Sequence, residues 1–120
     1  MEDLNDLFKI KNYYYRVWKY KVGLSQLTLR ATDTQKKHHN IHITFHRVHY
    51  FQFPAGWKGD LYLAPDNELR EILKRAEIPV VDINFTKKLY SLFKADAPNS
   101  TIYILGKLSL IEHDVEPIYN

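Results

Sequence analysis

Three stretches of this chain have the composition of β-strands, and they constrain the fold more than any other feature. They span residues 13–22, 41–53 and 101–111 and are rich in β-branched and aromatic residues. Polar and apolar side chains alternate in them, which places successive side chains on opposite faces of a sheet. Buried parallel strands carry continuous apolar runs instead, so the alternation favours antiparallel pairing with one covered face.

The clearest helix begins near Pro65, where acidic residues occupy the first turn. Its apolar stripe follows helical spacing, and Pro79 ends it. The stripe comprises Leu69, Ile72, Leu73 and Ala76. We expect it to pack on a sheet face that carries Ile102, Ile104, Leu108 and Leu110.

Weaker patterns predict the remaining elements, which include short strands at Leu27–Ala31 and Leu61–Leu63. Residues 3–9 have the spacing of one or two helical turns, and residues 80–85 are expected to be extended. Thr86 is a candidate cap for a second short helix, whose buried stripe would be Leu89, Leu92 and Phe93. The alternation in the second strand slips near Arg47, which predicts a β-bulge there.

Together these elements predict an α+β fold in a single domain over residues 1–120. We expect a mostly antiparallel, curved sheet of about five or six strands, covered by one or two helices. The alternative is a mostly-β, half-open barrel.

The charge of the chain is unevenly distributed along its length. Between Leu7 and Lys58 there are ten basic residues and one acidic residue, whereas the remainder has a net charge of −6. The basic window also holds most of the aromatic residues. If the two halves stay apart in space, the protein has one positive surface; if they interleave, the asymmetry averages out.

The first strand combines both properties and is the strongest candidate binding surface. Tyr14, Arg16, Trp18 and Tyr20 lie on one face of a regular strand. Aromatic and arginine side chains in this pattern contact protein partners or stack on nucleic-acid bases. The alternative is that these aromatic residues belong to the core.

Histidines are concentrated in the second strand region. Five of the six fall within twelve residues: His38, His39, His42, His46 and His49. On a strand, His42 and His46 are separated by roughly 13 Å, too far for both to ligate one ion unaided. We therefore expect His42, Thr44 and His46 to form a solvated polar face that binds no metal. A metal site and a pH-sensitive face are the alternatives.

Several function classes find no support in the sequence. The absence of cysteine excludes disulfides, thiolate metal sites and cysteine nucleophiles. Neither a Gly-x-Ser-x-Gly nor a phosphate-loop motif occurs. No apolar run approaches the roughly 20 residues that span a bilayer, and the acidic N-terminus does not resemble a signal peptide. We therefore expect a cytoplasmic, non-enzymatic protein without a cofactor.

The function that this pattern favours is a small binding domain. Its basic aromatic face would contact an acidic protein partner or a second copy of the chain as a homodimer. Single-stranded nucleic-acid binding is the first alternative, because the same residue types serve it. A β-barrel that binds a metal or small ligand through the histidines is the second.

Overall fold

The computed structural model describes residues 4–33, 35 and 40–113, which form an antiparallel seven-stranded sheet with the curl of a half-barrel. The helices are α1 Leu4–Phe8, α2 Asp66–Arg75 and α3 Ile83–Leu89. The strands are β1 Tyr13–Lys21, β2 Gln26–Asp33, β3 Asn40–Gln52, β4 Gly56–Lys58, β5 Tyr62–Leu63, β6 Ser91–Ala97 and β7 Ser100–Glu112. The predicted α+β fold with a curved antiparallel sheet is confirmed, and the curl is that of the half-barrel alternative. The sheet has seven strands where five or six were expected, and the three helices correspond to the three predicted helical segments.

The strands are arranged in the order β4-β1-β2-β3-β7-β6-β5. We call the face that carries the main core the core face, and the opposite one the outer face. On β2 and β3 the core face carries three opposed apolar pairs, each with at most 2% exposure. The pairs are Leu27–Phe45, Leu29–Ile43 and Ala31–Ile41. Leu7 and Ile10, in α1 and just after it, belong to the same cluster.

A bulge interrupts β1 at Trp18. Before it, Arg16 lies opposite Arg30 of β2, and after it Tyr20 lies opposite Leu27. Leu27 is a core-face residue, and one inserted residue reverses the side on which every later side chain lies. The expectation that all four candidate residues of β1 share a face is therefore wrong for Tyr20.

A larger bulge interrupts β3 at residues 47–49, which lie opposite Gly106 of β7 alone. Arg47 has a φ of 54°, in the left-handed region. A Cβ atom on Gly106 would lie 3.0 Å from the carbonyl oxygen of His46, so glycine allows the bulged strand to approach closely. The bulge predicted near Arg47 is confirmed.

Helix α2 packs on the outer face, at the end of the sheet formed by β6 and β7. Its residues Leu69, Ile72 and Leu73 are buried together with Leu92 and Leu105 in a second apolar cluster. The helix begins beside Pro65 as predicted, but it ends at Arg75, ahead of Pro79, and Glu77 then has a φ of 59°. Because this end of the sheet is covered on both faces, both faces of β7 are apolar there.

The predicted contact surface of α2 on β7 is therefore wrong. Ile102, Ile104 and Leu108 belong to the main core on the opposite face. Leu110 lies opposite Thr44 after a second register shift and is 43% exposed. A regular alternation through residue 110 cannot hold, because the ladder has an extra residue at Ser109.

Helix α3 begins earlier than its predicted cap. Asp82 is the N-cap, and its side chain accepts a hydrogen bond from the backbone N–H of Asn84 at 3.0 Å. Thr86 lies inside the helix, so the predicted extended segment 80–85 is wrong in its last residues. Leu92 and Phe93 belong to β6 and point to opposite faces of the sheet.

Candidate binding site on the outer face

Four polar residues form a row across the outer face. Arg16 of β1 lies opposite Arg30 of β2, which lies opposite His42 of β3, which in turn lies opposite Glu112 of β7. Directly opposed residues in an antiparallel sheet are close neighbours. The row therefore places two like charges side by side, with a carboxylate only at its far end.

Trp18 lies over the basic part of this row. The centroid of its ring is 4.4 Å from the guanidinium carbon of Arg30 and 5.7 Å from that of Arg16. The His42 ring centroid is 5.3 Å away. Both arginines are within the distance at which a cation is attracted to the face of an indole ring. We call the surface formed by Arg16, Trp18, Arg30 and His42 the arginine–tryptophan face.

The residues of this face differ in their access to solvent. Arg30 is only 2% exposed, whereas Arg16 is exposed and Trp18 is half-buried. Arg30 thus supports the indole ring from within the sheet, and Arg16 presents its guanidinium group to solvent. The bulge in β1 produces this arrangement, because it adds Trp18 without moving Arg16 from its place opposite Arg30.

The electrostatics of the face follow from burial and from its neighbouring cations. Burial lowers the pKa of Arg30, and the positive charge of Arg16 lowers it further. Burial also lowers the pKa of His42; Arg30 and Lys19 act in the same direction, and Glu112 opposes them. The surroundings therefore disfavour additional positive charge at His42.

The histidine strand is less solvated than the sequence suggests. His42 and His46 are half-buried, and Thr44 is 8% exposed. The hydroxyl groups of Thr44 and Thr28 form a hydrogen bond of 3.0 Å across the β2–β3 ladder. The expected solvated polar face is therefore wrong at Thr44, because a buried hydroxyl pair replaces contact with water there.

The two tyrosines of the predicted surface lie in different surroundings. Tyr14 is 46% exposed on the outer side of β1, and its ring covers Gly56 of β4 so closely that a Cβ atom there would clash. Tyr20 packs edge-on against Phe51, with the ring centroids 5.2 Å apart. Phe51 stacks on Phe53, and this aromatic group continues to the buried core. Tyr14 thus borders the arginine–tryptophan face, and Tyr20 does not.

The structure does not bring the histidines into one cluster. His38 and His39 lie outside the described residues. The His49 ring packs against Tyr90, with centroids 5.3 Å apart, and His46 lines a separate pocket. Over 4–33, 35 and 40–113, no three His, Cys, Asp or Glu side chains are grouped closely enough to hold a metal ion.

Arg30 is the site residue that sequence reasoning missed. The signal was present, because Thr28, Arg30 and Thr32 are the polar positions of an alternating strand. Its proximity to Arg16 depends on the register between β1 and β2, which the alternation alone leaves open.

Comparisons of the chain with protein-family models, with curated proteins and with solved structures each found no match. None of the described helices has both the length and the apolar character needed to cross a membrane.

Proposed function

We propose that this protein is a non-enzymatic binding domain whose arginine–tryptophan face recognises an acidic segment of a protein partner. The observation that carries the proposal is the convergence of two arginines from adjacent strands on the ring of Trp18. Arginine and tryptophan are the residue types that contribute most to interface energetics. A half-buried indole with two guanidinium groups close to its ring is a preformed anchor for such a contact.

The charge of the face specifies an anionic partner. Arg16 is exposed and takes part in no ion pair within the described residues. A carboxylate bound by Arg16 would form paired hydrogen bonds with its planar guanidinium group. The exposed Lys19, next to Trp18, adds a further positive charge.

A partner protein is favoured over a second copy of the chain. In a twofold dimer the same patch meets itself, so Arg16 of one protomer would approach the arginines of its partner. The positive charges of the two protomers would repel each other unless anionic groups lay between them. The homodimer therefore receives less support from this face than an acidic partner does.

A protein partner is also favoured over single-stranded nucleic acid. Stacking of successive bases requires a run of aromatic rings with free faces on one surface. Tyr20 is on the other side of the sheet, and the Trp18 ring already contacts Arg30 and His42. Tyr14 is the remaining exposed aromatic residue of β1 on this surface.

Affinity capture from a nuclease-treated lysate of the source cells tests the proposal. Three immobilised baits are compared: the unaltered chain, Arg16→Glu, and Lys74→Glu as a matched charge reversal on the exposed side of α2. We expect an acidic protein that the unaltered chain and Lys74→Glu retain and that Arg16→Glu loses. The captured protein is then purified, and its Kd for each bait is measured.

Two results would contradict the proposal. Equal binding to Arg16→Glu and the unaltered chain would show that the partner uses another surface. Capture that disappears on nuclease treatment, and that weakens steeply with salt, would support nucleic-acid binding instead.

A further inference from the structure

A second basic site lies where the bulge of β3 approaches the end of α3. It is a pocket of about 220 Å³ lined by His46, Arg47, Lys88, Leu89, Lys107 and Leu108. Four of these six residues carry nitrogen groups that can donate hydrogen bonds. None of them belongs to the arginine–tryptophan face, so the pocket is independent of the proposed function.

The bulge is what places Arg47 in this pocket. A regular strand would not give Arg47 its φ of 54°, a conformation that non-glycine residues seldom adopt. Two features hold the bulge in place: the backbone N–H of Val48 donates to the carbonyl of Ser25 at 2.9 Å, and Gly106 leaves room opposite. Backbone strain of this kind is concentrated at ligand sites.

The cations of the pocket are poorly compensated by the protein itself. Within the described residues, neither Arg47 nor Lys88 forms an ion pair, whereas the adjacent Lys87 is 3.1 Å from Asp66. Burial lowers the pKa of Lys107, and the charge of Arg47 lowers it further. The local balance of charge therefore favours an anion.

Lys107 is positioned to donate a hydrogen bond into the pocket. Its Nζ donates to the carbonyl of Lys87 at 3.1 Å and lies 3.4 Å from the hydroxyl of Ser91. An ammonium group has three N–H donors, so one remains for a ligand. The half-buried His46 adds a ring whose Nδ1 is buried without a hydrogen-bond partner in the described part of the chain.

We propose that this pocket binds the phosphate group of a small soluble molecule, with Arg47, Lys88 and Lys107 as its ligands. The planar guanidinium group suits phosphate oxygens, and the two lysines act as point charges. The pocket is smaller than sites that enclose drug-sized molecules, so it accommodates a phosphate group with a short substituent. Leu89 supplies an apolar wall for that substituent.

Thermal unfolding in the presence of phosphate tests this site. Sodium phosphate and glycerol 3-phosphate are titrated separately at constant ionic strength, with sodium chloride as the reference. A ligand that binds only the folded state raises the melting temperature in a saturable manner. We expect both probes to do so, and Arg47→Gly to weaken the apparent affinity at least about 5-fold, the effect of roughly 1 kcal/mol.

Two pocket variants and one control variant show whether stabilisation by phosphate depends on the pocket. Glycine adopts the left-handed conformation without a steric penalty, so Arg47→Gly should fold at least as stably as the unaltered chain. Lys88→Gln is the second pocket variant, and Lys74→Gln is the matched control on α2. Amide chemical shifts of Arg47 and Lys107 provide an independent readout of binding.

The outcomes separate clearly. Saturable stabilisation that both pocket variants lose and Lys74→Gln keeps would support the site. A tighter effect of glycerol 3-phosphate would identify a phosphate monoester as the preferred form. A response equal to that of chloride, or one that the pocket variants retain, would overturn the proposal.

Discussion

Replacement of Leu73 by alanine tests where α2 packs. Leu73 has no solvent exposure and belongs to the second apolar cluster with Leu105. Truncation of a buried leucine costs about 2–5 kcal/mol, because transfer energy is lost and a cavity remains. For 120 residues the melting temperature falls by roughly 4 °C for each kcal/mol, so we expect a decrease of about 8–20 °C.

A double-mutant cycle shows which face of β7 the helix contacts. Leu105→Val and Ile104→Val each remove one methylene from neighbouring buried positions on opposite faces. Urea denaturation of the single and double variants gives the coupling energy with Leu73→Ala. We expect about 0.5 kcal/mol or more for Leu105 and a smaller value, within the error of additivity, for Ile104. Coupling to Ile104 rather than to Leu105 would refute the packing described above.

Two further predictions concern the strands of the candidate sites. The pKa of His42 is lowered in the folded protein. The stabilisation that neutral His42 contributes is therefore fully present above the ordinary histidine pKa of about 6.5. That contribution is lost as the pH falls toward the folded value, because the unfolded chain binds the proton first; His42→Gln should reduce this loss in pH-dependent urea denaturation. Gly106→Ala should cost about 1–3 kcal/mol, because the new methyl group meets a carbonyl of the bulge 3.0 Å away. Gly23→Ala makes the same chemical change in open space and should alter the unfolding free energy by less than about 1 kcal/mol; equal costs at the two glycines would contradict the bulge geometry.

Local patterns predicted the elements in which the same side is buried along the whole length. The alternation from Ile41 to Phe45 predicted a strand with a buried side, and Leu69, Ile72 and Leu73 predicted the buried face of α2. In both cases the period of the apolar residues equals the period of the backbone. Such elements require no knowledge of the rest of the molecule.

The errors occurred where a tertiary contact changed the pattern. In β6, Leu92 and Phe93 are adjacent and both buried, because each face of the sheet is covered at that position. Two consecutive apolar residues after a helical stretch resemble a continuing helix stripe, so the local pattern favours a helix there. Asp82 and Thr86 are both residue types that cap helices, so residue type alone does not select Asp82 as the N-cap.

The candidate sites depended on details that alternation does not contain. Both bulges insert residues into a ladder, and each insertion changes which side chains share a face. The one in β3 was visible as a slip in phase at Arg47, but the one at Trp18 falls in a run of large residues suited to either face. The position of the bulge at Trp18 therefore depends on the pairing of β1 with β2.

The uneven charge of the sequence persists in the folded ion pairs. Two acidic residues of the second half pair within that half, Glu68 with Lys94 at 2.7 Å and Asp66 with Lys87 at 3.1 Å, whereas Asp60 pairs with Lys11 of the basic window at 3.8 Å. In the described part of the chain, Arg16 and Arg47 take part in no ion pair. Glu68 and Lys94 are half-buried, so their ion pair is held in a better-defined geometry than an exposed pair. The Glu68 carboxylate is therefore poorly available to other cations. The basic first half thus keeps much of its charge after folding, and both proposed sites draw their exposed arginine from it.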